Sequence, residues 1–154
     1  MNKKKAIAVI TNKTIKKLNG YILFEEVDKK TKITINLTGL PKGKHGFHIH
    51  KSGDLRDSCK SLCGHYNPYN KNHGDINDKE RHVGDLGNIE PNSKGFCKKI
   101  IYDKLVKLKG KYSVIGRSIV IHSNKDDLGK GNNKASLITG NAGKRIGCGV
   151  IGII

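Results

Sequence analysis

The feature that most constrains the fold of this chain is the segment 46–50, which reads Gly-Phe-His-Ile-His. Successive side chains of an extended strand point to opposite faces, so His48 and His50 share one face while Phe47 and Ile49 share the other. The two histidines then stand about 7 Å apart along the strand, close enough for both to reach one metal ion. We therefore predict a strand that packs on one face and chelates on the other. A His-x-His pair alone is also common on ordinary surfaces, so this prediction needs further ligands.

Further candidate ligands lie elsewhere in the chain. Six positions carry a histidine or a nearby aspartate: His45, His65, His73, His82, Asp85 and His122. Imidazole nitrogens suit copper and zinc, and an all-nitrogen, roughly square set suits Cu(II). Three histidines with one aspartate would instead form a closed, structural zinc site. With His45 left out, these residues supply both sites if one histidine uses both of its ring nitrogens.

The chain has 154 residues, which predicts a single domain over 1–154 with a core of useful size. Its formal net charge of +17 prompts a nucleic-acid hypothesis. However, the lysines come in short bursts between alternating hydrophobic residues, and no stacking aromatics are interleaved with them. We therefore favour solvated lysine-rich faces over a nucleic-acid patch, and expect the positive charge to attract small anions.

The start of the sequence does not resemble a targeting segment. Only five apolar residues follow the basic residues 3–5, too few for a signal peptide, and no apolar run approaches membrane-spanning length. We expect a soluble, cytoplasmic protein with no membrane partner. Cysteines in that compartment are normally reduced or metal-bound, and none of the four shows C-x-x-C spacing. They are Cys59, Cys63, Cys97 and Cys148.

Short apolar and alternating segments predict an all-β fold. Strands are expected at 6–10, 21–27, 33–37, 46–50, 81–87, 95–102, 115–122 and 148–154, with a polar turn over 11–20 between the first two. The stretches 51–81 and 123–145 have no strand or helix periodicity. Long structureless loops are uncommon in compact domains, so specific interactions are needed to hold the stretch 51–81 in place. The pattern favours an eight-stranded Greek-key β-sandwich or flattened barrel with two long loops.

Seven motifs then stand in order along the chain: His-Ile-His at 48–50, Gly-His-Tyr-Asn-Pro at 64–68, His-Gly at 73–74, Glu-Arg-His-Val-Gly-Asp-Leu-Gly-Asn at 80–88, Asp-Asp-Leu-Gly-Lys-Gly at 126–131, Gly-Asn-Ala-Gly-Lys-Arg at 140–145 and Cys-Gly-Val-Ile-Gly at 148–152. As an ordered set with compatible spacing over nearly the whole chain, they closely resemble the eukaryotic-type copper/zinc superoxide dismutases. The resemblance implies a metal-binding loop, an electrostatic loop, and copper and zinc as cofactors.

The resemblance also implies which residues hold the metals. Copper would be bound by His48, His50, His65 and His122, and zinc by His65, His73, His82 and Asp85, with His65 as the shared imidazolate. Asp126 matches the aspartate that hydrogen-bonds one copper histidine and one zinc histidine, and such partners fix ring orientation. The alternative for Asp126 is a turn or cap residue. His45 is interpreted as a structural histidine that anchors loops.

Cys59 and Cys148 match the intrasubunit disulfide of the family, which departs from the cytosolic expectation. Cys63 stands where relatives commonly have a small residue, close enough in sequence to compete for a partner. Cys97 is interpreted as a buried free thiol.

The implied activity is the disproportionation of superoxide to dioxygen and hydrogen peroxide by alternation of Cu(II) and Cu(I). Arg145 would position the anion, and His65 would carry a proton between half-cycles. Relatives often carry an acidic pair and a lysine near 132–138, whereas this chain reads Asn-Asn-Lys-Ala-Ser-Leu-Ile there, so Lys134 and Lys144 are expected to take over steering.

Family members of this type are usually homodimers, and the matching contact segments are 53–54, 115–116 and 150–154. Ser52 replaces an aromatic residue that many relatives carry there, which would weaken the contact. A copper chaperone is a further expected partner. Three rival functions stay open: a dismutase-like copper chaperone, a metal-buffering protein without turnover, and a basic nucleic-acid module. Against the chaperone stand a complete set of copper ligands and the expectation that no Cys-rich domain flanks the core.

Overall fold

The computed structural model describes residues 4–11 and 15–154. It contains eight strands: β1 Lys5–Ile10, β2 Asn19–Val27, β3 Lys30–Thr38, β4 His45–His50, β5 Asp85–Ile89, β6 Cys97–Asp103, β7 Ser118–His122 and β8 Arg145–Ile153. Two short helices lie in the long loops, a 3₁₀ helix at Ser58–Ser61 and α1 at Ser136–Thr139. Residues 12–14 of the predicted turn and residues 1–3 lie outside the described part. None of the described helices is long and apolar enough to cross a membrane.

The strands form one antiparallel sheet in the order β5-β4-β7-β8-β1-β2-β3-β6, curled into a nearly closed barrel. Three pairs of neighbouring strands are not consecutive in the chain, β4 with β7, β8 with β1 and β3 with β6, as in a Greek key. The two long loops instead connect strands that are adjacent in the sheet, β4 to β5 and β7 to β8. The all-β, eight-stranded prediction is confirmed.

Alternating hydrophobic residues explain how the barrel closes over its core. In β3, Ile33, Ile35 and Leu37 are buried while the intervening residues are only partly buried, as expected for a sheet with one wet face. The cluster that fills the interior also includes Phe24 and Phe47, which are completely buried. The core thus holds one face of each strand and leaves the other free for loops or solvent.

Several predicted strand limits were wrong. The strand expected at 81–87 runs from Asp85 to Ile89, because residues 82–85 form a turn in which the Asp85 amide donates to the His82 carbonyl at 3.2 Å. The last strand begins at Arg145, three residues earlier than predicted, and the segment 123–145 includes α1. Residues 115–117 precede β7 without joining it.

Candidate metal centre and anion cleft

The strand β4 presents its residues in the predicted alternation, and all six are buried. Phe47 and Ile49 belong to the hydrophobic core. His48 and His50 project from the opposite face, with ring centroids 6.3 Å apart. This strand is buried on both faces because the loops cover the histidine side.

Residues distant in sequence complete a first cluster of four histidines. His65 reaches β4 through an isolated β-bridge to His50, and His122 ends the neighbouring strand β7. One ring nitrogen from each residue enters this cluster, and these four atoms lie within 4.8 Å of one another; the residues are His48, His50, His65 and His122. Within the cluster, the Nε2 atoms of His50 and His122 are 3.3 Å apart.

A second cluster forms around Asp85 on the other side of His65. Oδ1 of Asp85 lies 3.0 Å from Nδ1 of His65, 2.8 Å from Nδ1 of His73 and 3.2 Å from Nδ1 of His82. The Nδ1 atoms of His65 and His82 are 3.2 Å apart. Ligand atoms of a tetrahedral zinc ion with bonds near 2.0 Å stand about 3.3 Å from one another. These separations therefore suit four ligands of one such ion.

His48 also lies within 4.8 Å of His65, His73 and Asp85, since its ring centroid is 4.0 Å from that of His65. Nδ1 of His82, however, lies 3.2 Å from Oδ1 of Asp85 and 3.2 Å from Nδ1 of His65, at the spacing of ligands of one ion. We therefore group His82 with the Asp85 cluster and His48 with the other.

Hydrogen bonds on the outer ring nitrogens fix the tautomers of the first cluster. Nε2–H of His48 donates to Asp126, Nδ1–H of His50 to the Cys63 carbonyl at 2.8 Å, and Nδ1–H of His122 to the Gly143 carbonyl at 3.1 Å. The opposite nitrogen of each ring is then left with a free lone pair. Outer partners of this kind commonly accompany metal-bound histidines.

The inner ring nitrogens fit a metal rather than a hydrogen-bond network. Among the described residues, the buried side-chain atoms without a hydrogen-bond partner are Nδ1 of His48, Nε2 of His65 and Nδ1 of His73. Nδ1 of His73 is close to Asp85 yet lacks hydrogen-bonding geometry, as expected for two ligands of a common cation. Unpaired buried polar atoms are costly, so this donor set fits copper and zinc.

Electrostatics keep most of these rings neutral. Burial lowers the pKa of His48 and of His50 well below the usual value, and burial lowers the pKa of His122 to about 4. Burial opposes protonation of His73 as well, but the hydrogen bond to Asp126 and the nearby carboxylate of Asp85 outweigh it and raise its pKa to about 9. Asp85 is also buried, yet contacts with three histidines hold its pKa far below the usual range.

Asp126 bridges the two clusters. Its Oδ2 accepts from His48, and its Oδ1 accepts from Nε2 of His73 at 2.7 Å. Asn88 holds the backbone of Asp126 on both sides, because its Oδ1 accepts from the Asp126 amide at 2.8 Å and its Nδ2 donates to the Asp126 carbonyl at 2.9 Å. We call this pair of bonds the Asn88 clamp. Gly140 passes directly beside this bridge with φ of +68°, and a Cβ there would stand 2.1 Å from Oδ1 of Asp126. The resemblance implied this place for Asp126, whereas nothing in the sequence pointed to the Asn88 clamp.

The first cluster opens to solvent through a cleft of about 410 Å³. Its wall includes His50, His65, His122, Ile138 and Arg145. A bulge in the β7–β8 pairing sets Arg145 opposite His122. The guanidinium donates to the carbonyls of Cys59 at 2.9 Å and Cys63 at 2.7 Å. Arg145 is therefore held at the cleft wall rather than free in solvent.

The predicted disulfide between Cys59 and Cys148 is present. It joins the 3₁₀ helix to β8 and packs with Leu62 and Val120 in a small apolar cluster. Cys63 is exposed and Cys97 is buried, and both are free thiols. Burial raises the pKa of the Cys97 thiol.

The remaining predicted residues lie around these clusters. Both ring nitrogens of His45 stand within hydrogen-bonding distance of carbonyls, His122 at 2.8 Å and Pro41 at 2.7 Å, in agreement with a loop-anchoring role. Lys134 and Lys144 are exposed on the second long loop.

Sequence reasoning missed the residues that hold the long loops in place. Asp127 accepts from the Ser136 hydroxyl at 2.7 Å and from the Asn141 amide at 2.6 Å, which ties α1 to the Asp-Asp motif. Buried Arg81 pairs with Asp103 at 2.7 Å and so ties the first loop to β6. The repeated Asp at 126–127 was an available signal for the first of these ties. The second joins residues 22 positions apart with no shared motif.

Comparison with known proteins agrees with this geometry. Residues 18–151 match the family model described as copper/zinc superoxide dismutase. A relative from Paramecium bursaria Chlorella virus 1, named superoxide dismutase [Cu-Zn], is 53% identical over 136 residues, covering 88% of this chain and 73% of the relative. One of the same name from Yarrowia lipolytica is 45% identical over 152 residues, 97% of each chain. A crystal structure of the clock protein EA4 superposes with a TM-score of 0.93 at 42% identity, covering 100% of this chain and 97% of that one.

A family model matching most of the chain, relatives at this identity and two adjoining histidine clusters lead to one conclusion: this chain belongs to the copper/zinc superoxide dismutase family, oxidoreductases that use copper and zinc and act on superoxide.

Proposed function

We propose that the chain disproportionates superoxide at this centre, with copper held by His48, His50, His65 and His122 and zinc held by His65, His73, His82 and Asp85. The observation that carries the proposal is the pair of unequal environments around one ring. Nε2 of His65 is buried and unpaired toward the first cluster, while Nδ1 lies 3.0 Å from Asp85 in the second. A single imidazole with both nitrogens so placed suits a bridge between two cations.

When bound, copper supplies the one-electron chemistry between Cu(II) and Cu(I), and zinc fixes the shared ring. Two superoxide anions and two protons yield one dioxygen and one hydrogen peroxide. Nε2 of His65 is the ring atom placed to hold one proton and release it to the second anion, because it makes no other hydrogen bond and belongs to a residue that lines the cleft. His48, His50 and His122 keep their outer N–H groups engaged and so hold their rings still.

Arg145 acts as the anion-binding group of the cleft. Its guanidinium retains its charge and offers a planar fork of donors, which suits a small anion better than a mobile ammonium. Two backbone carbonyls hold that fork against the wall. Exposed Lys134 and Lys144 add positive potential around the cleft, and superoxide dismutases are themselves a well-known case of such steering.

The proposed assembly is a homodimer through segments 53–54, 115–116 and 150–154. Gly53 packs on the backbone of Gly116 within the chain, where a Cβ would stand 2.2 Å from the carbonyl oxygen, so these segments form one surface. Ile153 and Ile154 are 62% and 64% exposed there. Such apolar exposure suits a two-fold contact. Sedimentation at micromolar concentration should give a dimer, and a monomer alone would contradict the proposed assembly.

A copper-delivering partner is proposed as the source of the metal.

The central test is metal content combined with superoxide decay. Protein loaded with copper and zinc should bind one of each per chain and accelerate superoxide decay, and chelation should remove both the copper and the acceleration. With Cu(II) loaded in both metal positions, His65→Gln should lose the magnetic coupling between the two Cu(II) ions that electron paramagnetic resonance detects, while His45→Gln, the matched variant outside both clusters, keeps it. A fully loaded protein that leaves superoxide decay unaccelerated would instead favour the buffering or chaperone function.

A further inference from the structure

A second basic cleft of about 450 Å³ adjoins the metal centre, because His65 lies in its lining. We call it the Tyr112 cleft, and the rest of its lining is formed by Lys51, Tyr66, Asn67, Pro68, Lys111, Tyr112 and Arg117. The volume falls within the usual range of small-molecule sites, which starts at about 300 Å³. His65 is the one lining residue that also belongs to the metal clusters, and the charged and tyrosine side chains of this cleft have no place in those clusters.

Arg117 is a preoriented anion receptor on this wall. Its Nε donates to the Ser113 carbonyl at 3.1 Å and its Nη1 to the Lys51 carbonyl at 2.8 Å. The guanidinium also stacks over the Tyr66 ring, 3.8 Å from the centroid. Nη2 makes no hydrogen bond to any described residue. A fork held on three sides, with both N–H groups of Nη2 left open, suits a phosphate oxygen because little side-chain freedom is lost on binding.

Two exposed lysines add charge without compensation. The Nζ atoms of Lys51 and Lys111 form no hydrogen bond or ion pair with described residues, and Lys111 instead lies 5.5 Å from the centroid of the Tyr112 ring. No carboxylate is among the residues that line the cleft. Three positive charges thus surround one concave surface, which favours a ligand with at least one full negative charge.

The cleft also provides an aromatic wall. The Tyr112 ring packs against that of Tyr69 with centroids 5.0 Å apart and an angle of 49° between the planes. Tyr69 is 49% exposed, so this pair leaves ring surface open to solvent. Planar heterocycles stack on such rings and on arginine planes. The combination of charge and ring distinguishes this cleft from the general lysine-rich surface.

We propose that the Tyr112 cleft binds a small organic anion that combines a phosphate group with a planar ring, of the nucleoside monophosphate class. The phosphate is received by Nη2 of Arg117 together with Lys51 and Lys111, and the ring packs on Tyr112. This proposal does not depend on the dismutase function.

Isothermal titration calorimetry of the metal-loaded protein at low salt tests it, with AMP, adenosine and inorganic phosphate as probes. AMP should bind more tightly than either of the others. Lys51→Gln combined with Lys111→Gln should weaken AMP binding about tenfold or more, since contacts with a charged group are each worth about that factor. Lys42→Gln combined with Lys94→Gln removes the same charge from exposed sites elsewhere and should leave the affinity unchanged.

Arg145→Gln separates this cleft from the active-site cleft and should keep AMP binding intact. Arg117→Lys should weaken binding despite its conserved charge. Four outcomes would overturn the proposal: no heat with AMP, equal binding of AMP and adenosine, equal weakening by the two double variants, or loss of AMP binding in Arg145→Gln.

Discussion

The carbonyl oxygen of Cys63 accepts a hydrogen bond from Nη2 of Arg145 at 2.7 Å. The same oxygen accepts from Nδ1 of His50 at 2.8 Å. One backbone atom therefore holds both the arginine proposed to bind the anion and a proposed copper ligand. Cys63 has a φ of +63°, in the left-handed region, and this turn points its carbonyl into the cleft. The placement of the anion relative to the metal depends on this loop.

Arg145→Lys should lower kcat/KM for superoxide about tenfold or more. The Cys59 and Cys63 carbonyls are held by two different guanidinium nitrogens, and the single nitrogen of an ammonium lacks this planar spread of donors, so the charge stays but the fork is lost. Pulse radiolysis measures the rate directly. Arg56→Lys, which changes an exposed arginine paired with Asp54, is the matched control and should be neutral. An unchanged rate in Arg145→Lys would mean that charge alone is enough.

Removal of the disulfide by Cys59→Ser with Cys148→Ser should lower the free energy of unfolding by about 4 to 5 kcal/mol. The bond closes a loop with a sequence separation of 89, and the entropy model gives that figure for a loop of this length. Urea unfolding of the metal-free protein gives the value. Because the Cys59 carbonyl also holds Arg145, the rate should fall as well. Cys97→Ser serves as the control, and a loss no larger than in that variant would contradict the prediction.

Asp126→Asn should weaken zinc binding by about 10-fold to 100-fold. An amide offers only one acceptor oxygen, so either His48 or His73 loses its partner and its ring orientation. Competition with a chromogenic chelator measures the affinity. Asp57→Asn changes an exposed carboxylate outside the clusters and should leave zinc affinity as it is. Equal affinities in the two variants would restrict Asp126 to a turn residue.

Thiol titration of the native, metal-loaded protein with a disulfide reagent at pH 8 should show one fast-reacting thiol per chain, Cys63. Cys97 should react only after unfolding, because burial both shields its sulfur and raises its pKa, which lowers the thiolate fraction. Cys63→Ser should abolish the fast phase. Fast reaction in that variant would show that Cys97 is accessible.

The rate constant should fall as ionic strength rises, and Lys134→Gln with Lys144→Gln should reduce both the rate and the slope of its salt dependence. Exposed charges act over roughly 8 to 10 Å at moderate salt, so only lysines near the cleft contribute strongly. Lys42→Gln with Lys94→Gln is the matched control for net charge. The same rate and slope in both double variants would remove these two lysines from steering.

The sequence determined which residues are candidates for the chemistry. Alternation in β4 is a property of any extended chain, so the shared face of His48 and His50 followed from their spacing alone. The ordered motifs named the other proposed ligands, Asp126, Arg145 and the Cys59–Cys148 disulfide, because each is a side chain whose identity is printed in the sequence.

Only the tertiary structure decided how those side chains are oriented. The outer partners of His50, His122 and Arg145 are backbone carbonyls, which every residue possesses, so no sequence signal marks the ones that are used. The start of β5 at Asp85 depended on a turn fixed by contacts with distant histidines. The Tyr112 cleft joins residues from positions 51 to 117, and its charge became visible only when folding brought Lys51, Lys111 and Arg117 to one surface with no carboxylate among its lining residues.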